Sequence, residues 1–143
     1  MNFFIFAIFS SIAALAFAVD TLGIQADTFG PGGILFSGDS TFSPAGLYRL
    51  EMQPDGNLVV YTNNGVNAIV MWDAQTVGRG GKRAVMQKDG NFCIQNAAGE
   101  NVWNTWTYDA GSVARLQDDG NLVVHSPNGY TVWSSLKGYS NKD

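Results

Sequence analysis

One nine-residue pattern is written three times in this chain, and it narrows the possible folds more than any other feature. The copies are Gln53-Pro-Asp55-Gly-Asn57-Leu-Val59-Val-Tyr61, Gln87-Lys-Asp89-Gly-Asn91-Phe-Cys93-Ile-Gln95 and Gln117-Asp-Asp119-Gly-Asn121-Leu-Val123-Val-His125. Their leading glutamines stand 34 and 30 residues apart, and Trp72, Trp103 and Trp133 follow in equivalent places. Self-similarity at such a period marks units that bury a face only by packing on their neighbours. Ahead of each copy runs an alternating stretch, Tyr48–Met52, Ala84–Met86 and Ser112–Leu116. Behind it come Asn64-Gly65, Ala98-Gly99 and Asn128-Gly129, which read as two-residue hairpin turns, the first connection being three residues longer and its turn wider. Each repeat is therefore expected to hold three or four short antiparallel strands. Three such sheets should share one axis filled by the tryptophans. No helical period appears after residue 19.

Within the first copy the residues alternate. On a strand, Met52, Leu58 and Val60 point one way, while Gln53, Asp55, Asn57, Val59 and Tyr61 point the other. The first row is an ordinary core row, repeated as Phe92/Ile94 and Leu122/Val124. The second is a graded series of amide, carboxylate, amide, aliphatic and phenol, which solubility alone does not require. Asp-Gly-Asn in each copy also signals a tight bend at the start of the strand.

Composition limits the chemistry. The net charge is −4 and no basic run is present, so nucleic acid is not an expected partner. Arg79-Gly-Gly-Lys82-Arg83, the one basic cluster, reads as a solvated loop. A single cysteine (Cys93) and a single histidine (His125) rule out an intrachain disulfide and argue against a zinc site or a histidine triad. No metal or cofactor is expected. Cys93 reads as a buried small hydrophobe; if it were exposed it could pair between chains. Asp118 and Asp119 are the nearest approach to paired carboxylates, but neighbours on a strand point apart, and a glycosidase needs two converging at about 5–9.5 Å. The expectation is a non-catalytic protein.

Residues 1–18, MNFFIFAIFSSIAALAFA, are uncharged and end in Ala-Phe-Ala, which predicts a secretory signal peptide cut before Val19. An uncleaved anchor is the rival reading. The mature chain, 19–143, is then a single extracellular domain with no membrane insertion.

Three copies of this pattern, each followed by a tryptophan strand, resemble the bulb-type mannose-binding lectins, the snowdrop-agglutinin group. Ile34-Leu-Phe-Ser-Gly38 is similar to that family's opening strand, and the resemblance runs from about residue 21 to 136. It implies an all-β fold, the β-prism II, with three short antiparallel sheets around a pseudo-threefold axis and one shallow sugar site per motif. In the first motif it implies that Asp55 and Asn57 bind the 2-hydroxyl of mannose, Gln53 the 3-hydroxyl and Tyr61 the 4-hydroxyl. Val59 would lie against the apolar ring carbons. In the second motif, Gln87, Asp89 and Asn91 match, with Cys93 and Gln95 replacing valine and tyrosine. The third keeps Gln117, Asp119, Asn121 and Val123 and ends in His125. One complete and two degenerate sites are expected, the third pH-sensitive near the ordinary histidine pKa of about 6.5.

Plant members commonly carry a disulfide, whose cysteines fall near Gly56 and Lys82 here. Partners implied are mannose and mannose-containing glycans or glycoproteins, with a homodimer formed by exchange of the C-terminal strand, 131–136. A prism scaffold that has lost most sugar binding is the alternative reading.

Overall fold

The computed structural model describes residues 24–25 and 27–139; the signal peptide expected over 1–18 lies outside them. Among the described residues, fourteen strands form three antiparallel sheets. The first repeat supplies β5 (Tyr48–Met52), β6 (Leu58–Thr62) and β7 (Val70–Asp73). From the second come β8 (Arg83–Met86), β9 (Phe92–Gln95) and β10 (Asn101–Asn104), and from the third β11 (Val113–Leu116), β12 (Leu122–His125) and β13 (Thr131–Ser134). The fourth strand of every sheet comes from the N-terminal segment. There β2 (Thr28–Phe29) pairs with β11, β3 (Ile34–Phe36) with β8, and β4 (Ser40–Phe42) with β5. The segment thus visits the third, second and first repeats in turn and ties all three together. Two-residue strands β1 (Ile24–Gln25) and β14 (Gly138–Tyr139) extend the third sheet at its two edges. Within the segment expected to exchange, 131–136, β13 pairs inside the chain with β12 on one side and β14 on the other.

Register explains the core. Leu50, Val60 and Trp72 stand side by side across the first sheet, as do Ala84, Ile94 and Trp103 across the second and Ala114, Val124 and Trp133 across the third. The N-terminal strands complete each row with a residue that complements it in size. Phe29 lies beside Ala114 and Leu35 beside Ala84, while the smaller Thr41 lies beside Leu50. Large residues set against small ones fill the space between the sheets. At the axis Trp72, Trp103 and Trp133 meet pairwise, with every ring-centroid separation 5.7 Å and interplanar angles of 61°, 75° and 79°. Each edge-to-face contact adds about 0.5–1.5 kcal/mol to simple burial.

The turns differ from the two-residue hairpins expected. In the second and third repeats the N–H of Asn96 bonds the carbonyl of Glu100 and that of Ser126 bonds Tyr130. Gly99 and Gly129, both at φ 84°, close these three-residue loops. Such a loop joins a type I turn to a left-handed residue, and glycine adopts that conformation without strain. The longer first connection holds a 3-10 turn over Gly65–Asn67.

Close to Gly56 and Lys82, where plant members place their disulfide, the backbones of Gly56 and Gly81 touch. A Cβ on Gly81 would lie 2.8 Å from the Gly56 carbonyl oxygen and 2.7 Å from Ile94 Cγ2. Close packing joins the repeats where a covalent bond is absent.

Candidate functional site

The motif is not an extended strand along its whole length. Gln53 to Gly56 form the turn between β5 and β6, with Gln53 N–H bonded to the Asn57 carbonyl and Gly56 N–H to the Gln53 carbonyl. The same pair of bonds recurs at Gln87–Asn91 and Gln117–Asn121. The three polar residues of each motif are therefore gathered by a hairpin bend, and only the last part of the row follows strand alternation. Aspartate holds the bend: Asp55, Asp89 and Asp119 each accept the N–H of the asparagine two residues on, at 3.0, 3.0 and 2.9 Å. A short acidic side chain is suited to this local bond.

In the first motif Gln53, Asp55 and Tyr61 are joined. The Gln53 amide, oriented to satisfy both neighbours, donates to the Asp55 carboxylate at 3.2 and 3.3 Å and accepts from the Tyr61 hydroxyl. Arg49, opposite Tyr61 on β5, lies 5.1 Å from the centre of its ring and pairs with Glu51 at 3.2 Å. The guanidinium holds the phenol from one side while the amide holds it from the other.

Asn57 is only 6% exposed. Its Nδ2 donates to Asp73 at 2.9 Å, and its Oδ1 accepts from the Thr76 N–H at 3.1 Å and the Thr76 hydroxyl at 3.3 Å. The side chain thus fastens the loop after Trp72 as well as facing the site. Val59 is 2% exposed between Glu51 and Asp73, so it offers a ligand almost no surface. Arg49, Glu51, Asp73 and Thr76 escaped sequence reasoning because only the sheet register sets them beside the motif.

The second motif is more closed. Asn91 is 2% exposed, and its Oδ1 accepts from the Thr105 hydroxyl at 3.4 Å. Gln95, in the tyrosine position, accepts from Arg83 Nε at 3.1 Å and donates to Asn101 at 3.2 Å. Asn101 also takes a long bond, 3.5 Å, from Gln87. Asp89 remains exposed. Cys93 is fully buried, and burial, helped by the Asp89 charge, pushes its thiol pKa up to about 12. It is a core residue and cannot reach a second chain.

In the third motif Asn121 Oδ1 accepts from Ser134 and Ser135 hydroxyls, both at 3.0 Å, and from the Leu136 N–H at 3.3 Å. Its amide nitrogen has no bond to another described residue. His125 Nδ1 lies 3.3 Å from the Thr131 hydroxyl. Partial burial lowers the histidine pKa, and the Arg115 charge lowers it further, so its titration falls below the expected 6.5. Val123 is buried, Gln117 half-buried and Asp119 exposed. Asp118 instead accepts the Ala45 N–H at 2.9 Å and joins the third repeat to the first.

Of the basic cluster, Arg79 and Lys82 are exposed, whereas Arg83 opens β8, is half-buried and is bonded to Gln95. Among the described residues no group of acidic, histidine or cysteine side chains is placed to hold a metal ion, and no helix is long and apolar enough to cross a membrane.

No protein-family model matches the sequence, and no curated protein matches it. Solved structures do. A lectin from Japanese Marasmius oreades shares 27% identity at a TM-score of 0.68, over 76% of this chain and 89% of its own. The mannose-specific agglutinin of snowdrop (Galanthus nivalis) bulbs, solved with methyl-α-D-mannoside, shares 26% at 0.62, over 73% and 93%. Monomeric monocot mannose-binding lectins from Gastrodia elata share 30% identity at 0.67, over 78% of this chain and 98% of theirs. With its three-sheet prism and thrice-repeated motif, the chain belongs to the bulb-type lectin family.

Proposed function

We propose that this protein is a non-catalytic lectin that binds mannose and mannose-containing glycans, and that it does so best at the first motif. The observation that carries the reading is the linked row of Asp55, Gln53 and Tyr61 beside Asn57. A sugar epimer is distinguished by hydroxyls that meet fixed partners, because a misplaced hydroxyl leaves those partners unsatisfied. Each polar group in this row is already held by a neighbour, so little order remains to be imposed on binding. Asp55 is exposed and keeps lone pairs open to a hydroxyl, and Tyr61 keeps acceptor capacity on its hydroxyl. Comparison adds support, since snowdrop agglutinin was solved with methyl-α-D-mannoside and a Polygonatum cyrtonema lectin with a monomannoside.

In this reading the site is shallow and single-site affinity is around millimolar, about 4 kcal/mol. Useful strength comes from several sites acting together. The chain is proposed to be secreted after removal of residues 1–18.

The test is a titration of methyl α-mannoside followed by backbone-amide NMR. Asp55→Asn keeps the bend but loses the charged acceptor, and is expected to weaken binding about tenfold, the worth of a charge-assisted bond. Tyr61→Phe should weaken it about two- to tenfold. Amides of Gln53–Tyr61 that stay unmoved at tens of millimolar sugar would refute the reading and favour a prism kept as a scaffold. The closed second motif, with Gln95 tied to Arg83 and Asn101, is the observation on that side.

A further inference from the structure

Beside the closed second motif runs a cleft of about 580 Å³ along β10, one of the two edge strands of its sheet. Asn101, Asn104, Arg79, Trp106 and Tyr108 line it, over a floor of Val102 and Trp103. Trp106 and Tyr108 are 65% and 62% exposed. Trp106 is the one tryptophan among the described residues that takes no part in the axial cluster or the core. Its backbone is left-handed, at φ 55°, where bulky side chains are rarely placed. The same backbone form recurs after Trp72 at Gln75, φ 58°, with an exposed amide, so the turn itself does not call for an indole.

The segment is nevertheless rigidly seated. Thr105 and Thr107 are buried on either side, their hydroxyls 2.8 Å apart, and Thr107 donates to the Gly90 carbonyl at 2.6 Å. The Asn104 side chain accepts the Trp106 N–H at 2.9 Å. The backbone that carries these two exposed aromatic side chains is therefore anchored to the turn of the second motif. Around them the open polar groups are donors. Asn101 and Asn104 spend their oxygens on protein N–H groups, which leaves their amide nitrogens for a ligand, and the Arg79 side chain adds a guanidinium.

We propose that this cleft is a second saccharide subsite, which holds one neutral hexose unit of an oligosaccharide running along β10 beside the second motif. It rests on the lectin reading above. A pyranose presents an apolar C–H face and an equator of hydroxyl oxygens. The face suits stacking on an indole or phenol, and the oxygens suit a rim of donors. Asn101 joins the cleft to the motif, because its oxygen accepts from both Gln87 and Gln95.

The experiment uses the full chain, labelled with nitrogen-15, and two probes, methyl α-mannoside and an α-linked mannotriose. The Trp106 indole signal, identified by its loss in Trp106→Phe, is expected to shift with mannotriose. At the second repeat the trisaccharide should bind about tenfold tighter than the monosaccharide, the worth of one good aromatic contact. Trp106→Ala should erase that gap and leave methyl α-mannoside binding at Gln53–Tyr61 unchanged. A monosaccharide that moves the first motif, with a trisaccharide that leaves Trp106 unmoved, overturns the subsite alone. So does a Trp106 signal that shifts with protein concentration in the absence of sugar, which would mark the aromatic pair as a contact between copies of the chain. If neither probe moves the first motif or Trp106, the lectin reading falls and the subsite with it.

Discussion

Replacing Asn57 with alanine should damage the fold before it damages any sugar contact. The amide of Asn57 holds Asp73 at 2.9 Å and the Thr76 N–H at 3.1 Å. Thr76 is fully buried, so its N–H would be left without an acceptor, at a cost of about 1–3 kcal/mol. Asp73 is half-exposed and water replaces part of its lost bond, which adds about 1 kcal/mol. The sum, about 3 kcal/mol, is a large share of the roughly 5–15 kcal/mol that holds a domain together. For a chain of this size it corresponds to a melting temperature lower by about 12 °C.

Thermal unfolding followed by circular dichroism measures this directly. Asp55→Asn is the control: it retains an oxygen for the Asn57 N–H and should melt within about 2 °C of the parent. Asn57→Asp sharpens the test by setting two carboxylates against each other where Asn57 now meets Asp73. Its stability should fall as pH rises from 4 to 7, because ionising the new carboxylate sets like charge against Asp73. An Asn57→Ala variant that melts within about 3 °C of the parent would refute the reasoning, because the buried N–H would then have found another partner.

Three further outcomes follow from the packing and the titrating groups. Trp103→Ala opens the axial cluster and should cost about 3–5 kcal/mol, read as a lower denaturant midpoint; a loss below about 1 kcal/mol would mean that the two remaining indoles collapse into the gap. His125, with its pKa lowered in the fold, favours the neutral ring, so its contribution to stability is complete above pH 6.5 and is lost as pH falls toward the lowered value. Its NMR titration should have a midpoint under 6.5, and His125→Gln should flatten the acid side of the pH–stability curve. Cys93, fully buried and with its pKa near 12, should resist a thiol reagent at pH 8 in the native state and react once the chain is unfolded in guanidinium.

Much of this protein was legible because its repeat is written in both of its faces. Leu58/Val60, Phe92/Ile94 and Leu122/Val124 alternate as core rows must, and all six are fully buried. The tryptophans follow at fixed positions, and three equivalent units that each need a partner leave an axis for them to fill. These features depend on period and hydrophobicity, which are local in the chain.

What tertiary structure decided is which groups are neighbours. Nothing in Phe29, Leu35 or Thr41 announces that each completes a different sheet, because that depends on the residue beside it: Ala114, Ala84 or Leu50. Val59 was expected to meet a ligand, and register buries it between Glu51 and Asp73. Asn57 was expected to face a sugar, and most of its amide is occupied by Asp73 and Thr76 from the loop beyond Trp72. Trp106 stands apart from the repeat's tryptophans, and only the fold turns it outward, away from them. A sequence states which residues can be buried and with what period. Long-range register and turn geometry assign the partners, and the availability of a hydrogen-bonding group depends on those partners.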